Sequence, residues 1–223
     1  MQGLINVNGD NVQTLEILFL TTAIMLLPAL LVMMTSFTRY VISFSFLRSA
    51  LGTQQSPPNV VLIGLALFLT MFTMAPVMDE IHQEAYEPYV AEEISQEEFL
   101  DRAQVPLKEF MVRNTKPNTL QMFCDLAHME GLPEKIDMET ATELPLRLIV
   151  PSFMTCELQR AFEIGLLLYI PFMLIDIVVS STLMAMGMIM LPPSMISMPF
   201  KLLLFVTVNG WELLFSSLIQ GFR

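Results

Sequence analysis

Residues 164–190 read IGLLLYIPFMLIDIVVSSTLMAMGMIM, and their one charge is Asp176. A helix of about 20 apolar residues crosses the roughly 30 Å hydrocarbon core of a bilayer. In lipid every backbone N–H and C=O has to be satisfied inside the segment, which favours helices over open sheet. Three other stretches share the pattern. Residues 15–34 hold only Glu16, residues 60–78 hold no charge, and residues 200–219 hold Lys201 and Glu212. Pro28, Pro76 and Pro171 fall within such stretches and are expected to kink them. The expected fold is all-α and membrane-type, with two long kinked helical hairpins and a small helical acidic insertion between them. The divisions are a polar N-terminal segment (1–14), a first apolar hairpin (15–78), an acidic region (79–150) and a second apolar hairpin (151–223).

The composition has to be reconciled with that fold. The 223 residues are 54% hydrophobic with mean hydropathy +0.59, yet the net charge is -11. Residues 79–163 carry 18 acidic and 7 basic side chains, and the remainder carries 4 of each, so all the net charge is in the middle. Clustered Lys/Arg is absent, which removes nucleic acid as a partner and argues against polybasic membrane attachment. Residues 35–59 hold Arg39 and Arg48 and no acid. The positive-inside rule puts that connection in the cytoplasm, and the acidic segment with both termini outside. Residues 1–14 are polar and contain no basic residue, unlike a signal peptide; a leader already removed is the expectation.

The acidic region reads as folded. Residues 92–111 show apolar side chains near helical spacing, with Ser95 and Glu98 placed as a capping box. Residues 118–129 read as a second short helix, stopped by Gly131 and Pro133. Cys124 and Cys156 make no disulfide framework, and whether they pair stays open. His82 and His128 are too few and too separated for a metal-ligand pattern, so no metal or cofactor is expected. No Walker A loop, GxGxxG or HExxH occurs, and the spans contain no His for a Ser/His/Asp arrangement. An enzyme is not expected.

Two features point to mechanism. Met184, Met186, Met188 and Met190 alternate up to Pro192-Pro193, which marks a hairpin tip. No charge lies between Asp176 and Lys201. Such a tip is a buried hairpin of a bundle, a thioether site for Cu(I), or a gasket of flexible polarizable side chains. The second feature is charge inside apolar helices, where a partner or water is required. With a turn at Pro192-Pro193, Asp176 falls opposite Asn209 and Lys201 opposite Met184. A direct bridge within one hairpin would need a turn nearer Met188. Pairing between neighbouring subunits is therefore the expectation, with a proton relay or a snorkelling Lys201 as the alternative. Glu157, Arg160 and Glu163 share a helix face and would set partner register or simply face solvent.

Residues 26–59 (LLPALLVMMTSFTRYVISFSFLRSALGTQQSPPN) resemble the first hairpin of the FliP family of flagellar export-gate proteins, related to the SctR proteins of virulence type III secretion. PSFMTCELQRAFEIG (151–165), IPFMLIDIVVSS (170–181) and MAMGMIMLPPSMISMPFKLLLFV (184–206) are similar to its signature stretches and its methionine loop. The acidic middle matches less closely. The resemblance implies a homo-oligomer, a ring of five, with FliQ and FliR, with FlhB at the closed end, passing unfolded flagellar export substrates. It also implies the bacterial inner membrane, in contact with lipid, at the flagellar basal body. Met188, Ile189 and Met190 match the channel-narrowing loop, with Ile189 where some members carry Met, and Met184 and Met186 extend the gasket. Glu157, Asp176 and Lys201 match charged positions at subunit contacts. The resemblance also implies that much apolar surface faces neighbouring subunits rather than lipid. The competing expectation is a small-solute or proton-coupled transporter using Asp176.

Overall fold

The computed structural model describes residues 4–7, 10–128, 138–188 and 190–222. The chain opens with two short antiparallel strands, β1 (Leu4–Val7) and β2 (Asp10–Gln13), with Leu4 opposite Gln13 and Val7 opposite Asp10. The two residues between them in sequence are Asn8-Gly9, a pair favoured in tight hairpins. Among the described residues the remaining regular elements are helices. Strand β2 runs straight into α1 (Thr14–Met33), which covers the first apolar stretch.

The segment 35–59, expected as a connection, is mostly helix α2 (Phe37–Leu51), and α2 is the centre of the fold. Tyr40, Phe44, Leu47 and Leu51 recur at helical spacing and are all buried. Gly52, in the left-handed region at φ 76°, ends the helix by donating its N–H to the Ser49 carbonyl at 3.1 Å. Antiparallel to α2 lies α3 (Asn59–Ile81), which runs through a π-helical turn (His82–Tyr86) into α4 (Glu87–Val90). Such turns are rare and occur mostly as single-turn bulges within α-helices.

The acidic region contributes α5 (Gln96–Arg113), α6 (Pro117–Leu126) and α7 (Met138–Glu143). The Ser95 hydroxyl accepts the Glu98 N–H at 3.2 Å, as the capping box predicts, and Glu97, Glu98 and Arg113 complement the helix dipole. Helix α6 ends three residues before the expected limit; Gly131 and Pro133 lie outside the described residues.

Helix α8 (Leu146–Ala185) is 40 residues, about 60 Å at helical rise, with Pro151 and Pro171 inside it. It runs parallel to α2 and packs closely on it: a Cβ on Gly165 would fall 2.6 Å from the Phe46 ring. Ser36, Ser43 and Ser152 are fully buried. The last apolar stretch is not one straight span. It is α9 (Pro193–Thr207) and α10 (Gly210–Gln220), bent by 64° at Asn209, which adopts a left-handed φ of 52°. The Phe205 ring fills the bend, 2.2 Å from where a Gly210 Cβ would lie. Among the described residues two helical runs are long and apolar enough to cross a membrane, Asn59–Val90 and Leu146–Ala185, or three if the bent pair counts as one.

The core lies where α2 meets α3, α8 and α10, with α5 packed against α3 and α8. Phe44 packs edge-on to Phe215 at 5.7 Å, and Phe110 packs edge-on to Phe153 at 5.9 Å. Much of the apolar surface stays outside it. Phe68 and Met71 on α3, Leu166 and Leu167 on α8, and Leu203 and Val206 on α9 are all exposed.

Candidate functional site

Two ion pairs inside the helical body and one exposed tip make up the candidate site. Arg39 on α2 is buried, as is Glu157 on α8. The Arg39 Nε donates to Glu157 Oε2 at 2.7 Å, and its Nη2 donates to Oε1, giving a bidentate pair. The remaining Nη1 donates to the Gly221 carbonyl at 2.9 Å, and the guanidinium carbon sits 3.4 Å from the centre of the Phe222 ring. Arg160, one turn along α8, lies 3.5 Å from Glu157 and donates to Asn114 Oδ1 at 3.4 Å. One carboxylate therefore gathers α2, α5, α8 and the C-terminal turn.

Arg39 does not act as a loop charge, and the orientation argument loses one of its two arginines for that reason. The helical recurrence of Phe37, Tyr40, Phe44 and Leu47 on either side of it was the available signal. Glu157 was expected at a subunit contact. Its carboxylate is wholly enclosed by its own chain, and Arg160 is the partly exposed member of the group.

The second pair corrects an expectation directly. Lys201 Nζ lies 2.7 Å from Asp176 Oδ2 within the same chain. The argument for pairing between neighbours rested on a turn at Pro192-Pro193. The helix instead ends at Ala185, and Gly187 takes a left-handed φ of 74°. Reversal near residue 188 is what brings positions 176 and 201 level. Lys201 also donates to the Ala50 carbonyl at 3.1 Å. That carbonyl belongs to the last turn of α2, where acceptors lack helical partners and the dipole is negative. Ser197 donates to Asp176 Oδ1 at 2.6 Å, so both carboxylate oxygens are engaged. The sequence reading missed Ser197 and Ala50, because their roles depend on the register of the turn. The Asp176 side chain remains 43% exposed while that of Lys201 is 8% exposed, so the pair presents its acidic half outward.

At the tip, Met184, Met186, Met188 and Met190 are all exposed, the last by 97%. None of the four packs into the core of this chain. Ile189 lies outside the described residues. Among the described residues no three His, Cys, Asp or Glu side chains cluster in a way that could hold a metal. Cys124 and Cys156 are both buried and free; Cys156 Sγ accepts the Lys116 N–H at 3.3 Å.

Comparison with known proteins is consistent across most of the chain. The FliP family model matches residues 20–218. The flagellar biosynthetic protein FliP of Aquifex aeolicus is 47% identical over 96% of this chain and 88% of its own length. The protein of that name from Bacillus subtilis is 49% identical over 94% of this chain and 92% of its own. For the Buchnera aphidicola relative (strain APS) the identity is 49% over 95% of this chain, which spans 54% of that longer protein.

Proposed function

The chain belongs to the FliP family, and from that premise we propose that it is a core channel subunit of the flagellar type III protein export gate. It assembles as a ring with FliQ and FliR, with FlhB at the closed end, and passes unfolded flagellar subunits across the bacterial inner membrane. No catalytic step is assigned to it.

The observation that carries this reading is the exposed methionine tip. An apolar, uncharged hairpin end with Met184, Met186, Met188 and Met190 turned outward is poorly suited to water. Ringed with copies of itself it becomes a seal, because thioether side chains conform to varied surfaces and yield to them. The exposed apolar faces of α3, α8 and α9 support assembly in the same way, as surface to be covered by lipid or subunits. Asp176 and Arg160, the partly exposed members of the two charge groups, are the positions a neighbouring copy can reach.

The test is leakage. Assembled gates in liposomes, with Met188, Ile189 and Met190 replaced by alanine, should pass ions or small dyes faster than the parent. Gates that stay equally tight would remove the gasket role. The transporter reading needs Asp176 free to exchange a proton or bind a solute, whereas Lys201 and Ser197 occupy both its oxygens. Saturable solute uptake by this chain alone in liposomes would restore it.

A further inference from the structure

Four basic side chains lie outside the acidic middle: Arg39, Arg48, Lys201 and Arg223. Arg39 is matched by Glu157 and Lys201 by Asp176. Among the described residues Arg48 has no carboxylate within ion-pair distance. Its Nη1 donates to the Pro57 carbonyl at 3.4 Å and to Asn59 Oδ1, both neutral acceptors. The charge is left uncompensated.

Arg48 stands in the last turn of α2 and faces the start of α3. With Gln54, Gln55, Pro58 and Asn59 it lines a cavity of about 340 Å³. The negative end of the α2 dipole and the positive start of α3 meet there and cancel to first order, so the guanidinium sets the sign of the site. The side-chain amides of Gln54 and Gln55 add neutral hydrogen-bonding groups. Immediately beyond the cavity the surface changes character. Val60, Val61, Ile63, Leu67 and Phe68 are exposed along α3. Helix α3 opens one of the two runs able to cross a membrane, so the cavity sits at an end of that run.

A cationic polar pocket at the foot of an exposed apolar helix has the amphiphilic profile of one kind of ligand. We propose that this cavity binds the phosphate headgroup of an anionic phospholipid, with the acyl chains lying along the exposed face of α3. Arg48 supplies the charge and the two glutamines the neutral contacts. Guanidinium–phosphate pairing is strong where it is planar and partly desolvated. This assignment goes beyond the export reading and does not depend on it.

The test uses the full chain purified in detergent and titrated with mixed micelles of phosphatidylglycerol or phosphatidylcholine. Lipid retained per chain is read by mass spectrometry after gel filtration. The parent should retain phosphatidylglycerol in preference to phosphatidylcholine, and Arg48→Gln should weaken that retention about fivefold. Because Arg48 also holds its loop, Gln55→Glu is the second variant: it keeps the arginine and sets a repelling charge beside it. It should weaken retention with helix content unchanged by circular dichroism. Equal retention of the two lipids, or undiminished retention in Gln55→Glu, overturns the proposal. A further arm follows modification of Arg48 by phenylglyoxal, mapped by peptide mass. If inorganic phosphate protects Arg48 as well as phosphatidylglycerol does, the site takes the free anion and the lipid assignment falls.

Discussion

Glu157 is the residue on which most of the body converges. Removing one partner of a buried, hydrogen-bonded pair leaves the other charge desolvated, a loss of about 3–5 kcal/mol. Glu157→Gln or Arg39→Met should each destabilise the detergent-solubilised chain by that order, read as a lower unfolding midpoint. The double replacement Arg39→Met with Glu157→Leu should recover much of it; no recovery would mean that the pair does more than neutralise itself. The cysteines make a second prediction. Burial pushes the Cys124 thiol up, with the neighbouring Asp125 charge adding to it. A raised pKa means less thiolate at neutral pH, and thiolate is the reactive form. Cys124 should therefore stay unlabelled by maleimide in the folded chain, and Cys156 should as well because its side chain is buried; both should label once the chain is unfolded.

At the scale of elements, the seam between α2 and α8 depends on having no side chain at position 165. Gly165→Leu would drive into the base of the Phe46 ring and force the helices apart. Overpacking of that kind costs about 1–3 kcal/mol or more, and should show as reduced yield and a lower unfolding midpoint. At the bend, Asn209→Gly should be tolerated, whereas Asn209→Val puts a β-branched residue in the left-handed region at about 1–2 kcal/mol. A lower midpoint for the glycine variant than for the valine would refute that account. These two positions mark the limits of sequence reading here. Ser95 and Glu98 announced the start of α5, because a cap is local. The apolar runs announced α3 and α8, because burial in lipid or against a partner demands a long continuous pattern. Helix α2 escaped because its serines and Arg39 look like solvated connection residues. In the fold Ser36 and Ser43 are buried and the arginine meets a carboxylate far along the chain. The Asp176–Lys201 bridge escaped for a different reason: a few residues' error in placing one turn slides every pairing below it.

At the scale of the molecule, the described residues of the acidic middle are mostly helical, with Ser95 capping the longest of these helices. The region's placement outside the cytoplasm rests on Arg48 once Arg39 is counted with the core. Glu97→Cys, in the exposed first turn of α5, puts a single reactive thiol there if the native cysteines stay silent. A membrane-impermeant maleimide added to whole cells with a permeabilised outer envelope should label it; labelling only after the inner membrane is opened would reverse the orientation. The ammonium of Lys201 has a mechanical consequence as well. It joins the end of α2 to the second hairpin, and Asp176 and Ser197 complete the same knot. Past that knot α8 continues from Ile177 to Ala185, nine residues or about 14 Å, before Gly187 turns the chain. The methionines thus ride on a cantilever clamped at one level. One ion pair and two hydrogen bonds hold its root, so a force applied at the free end is carried as bending to that clamp.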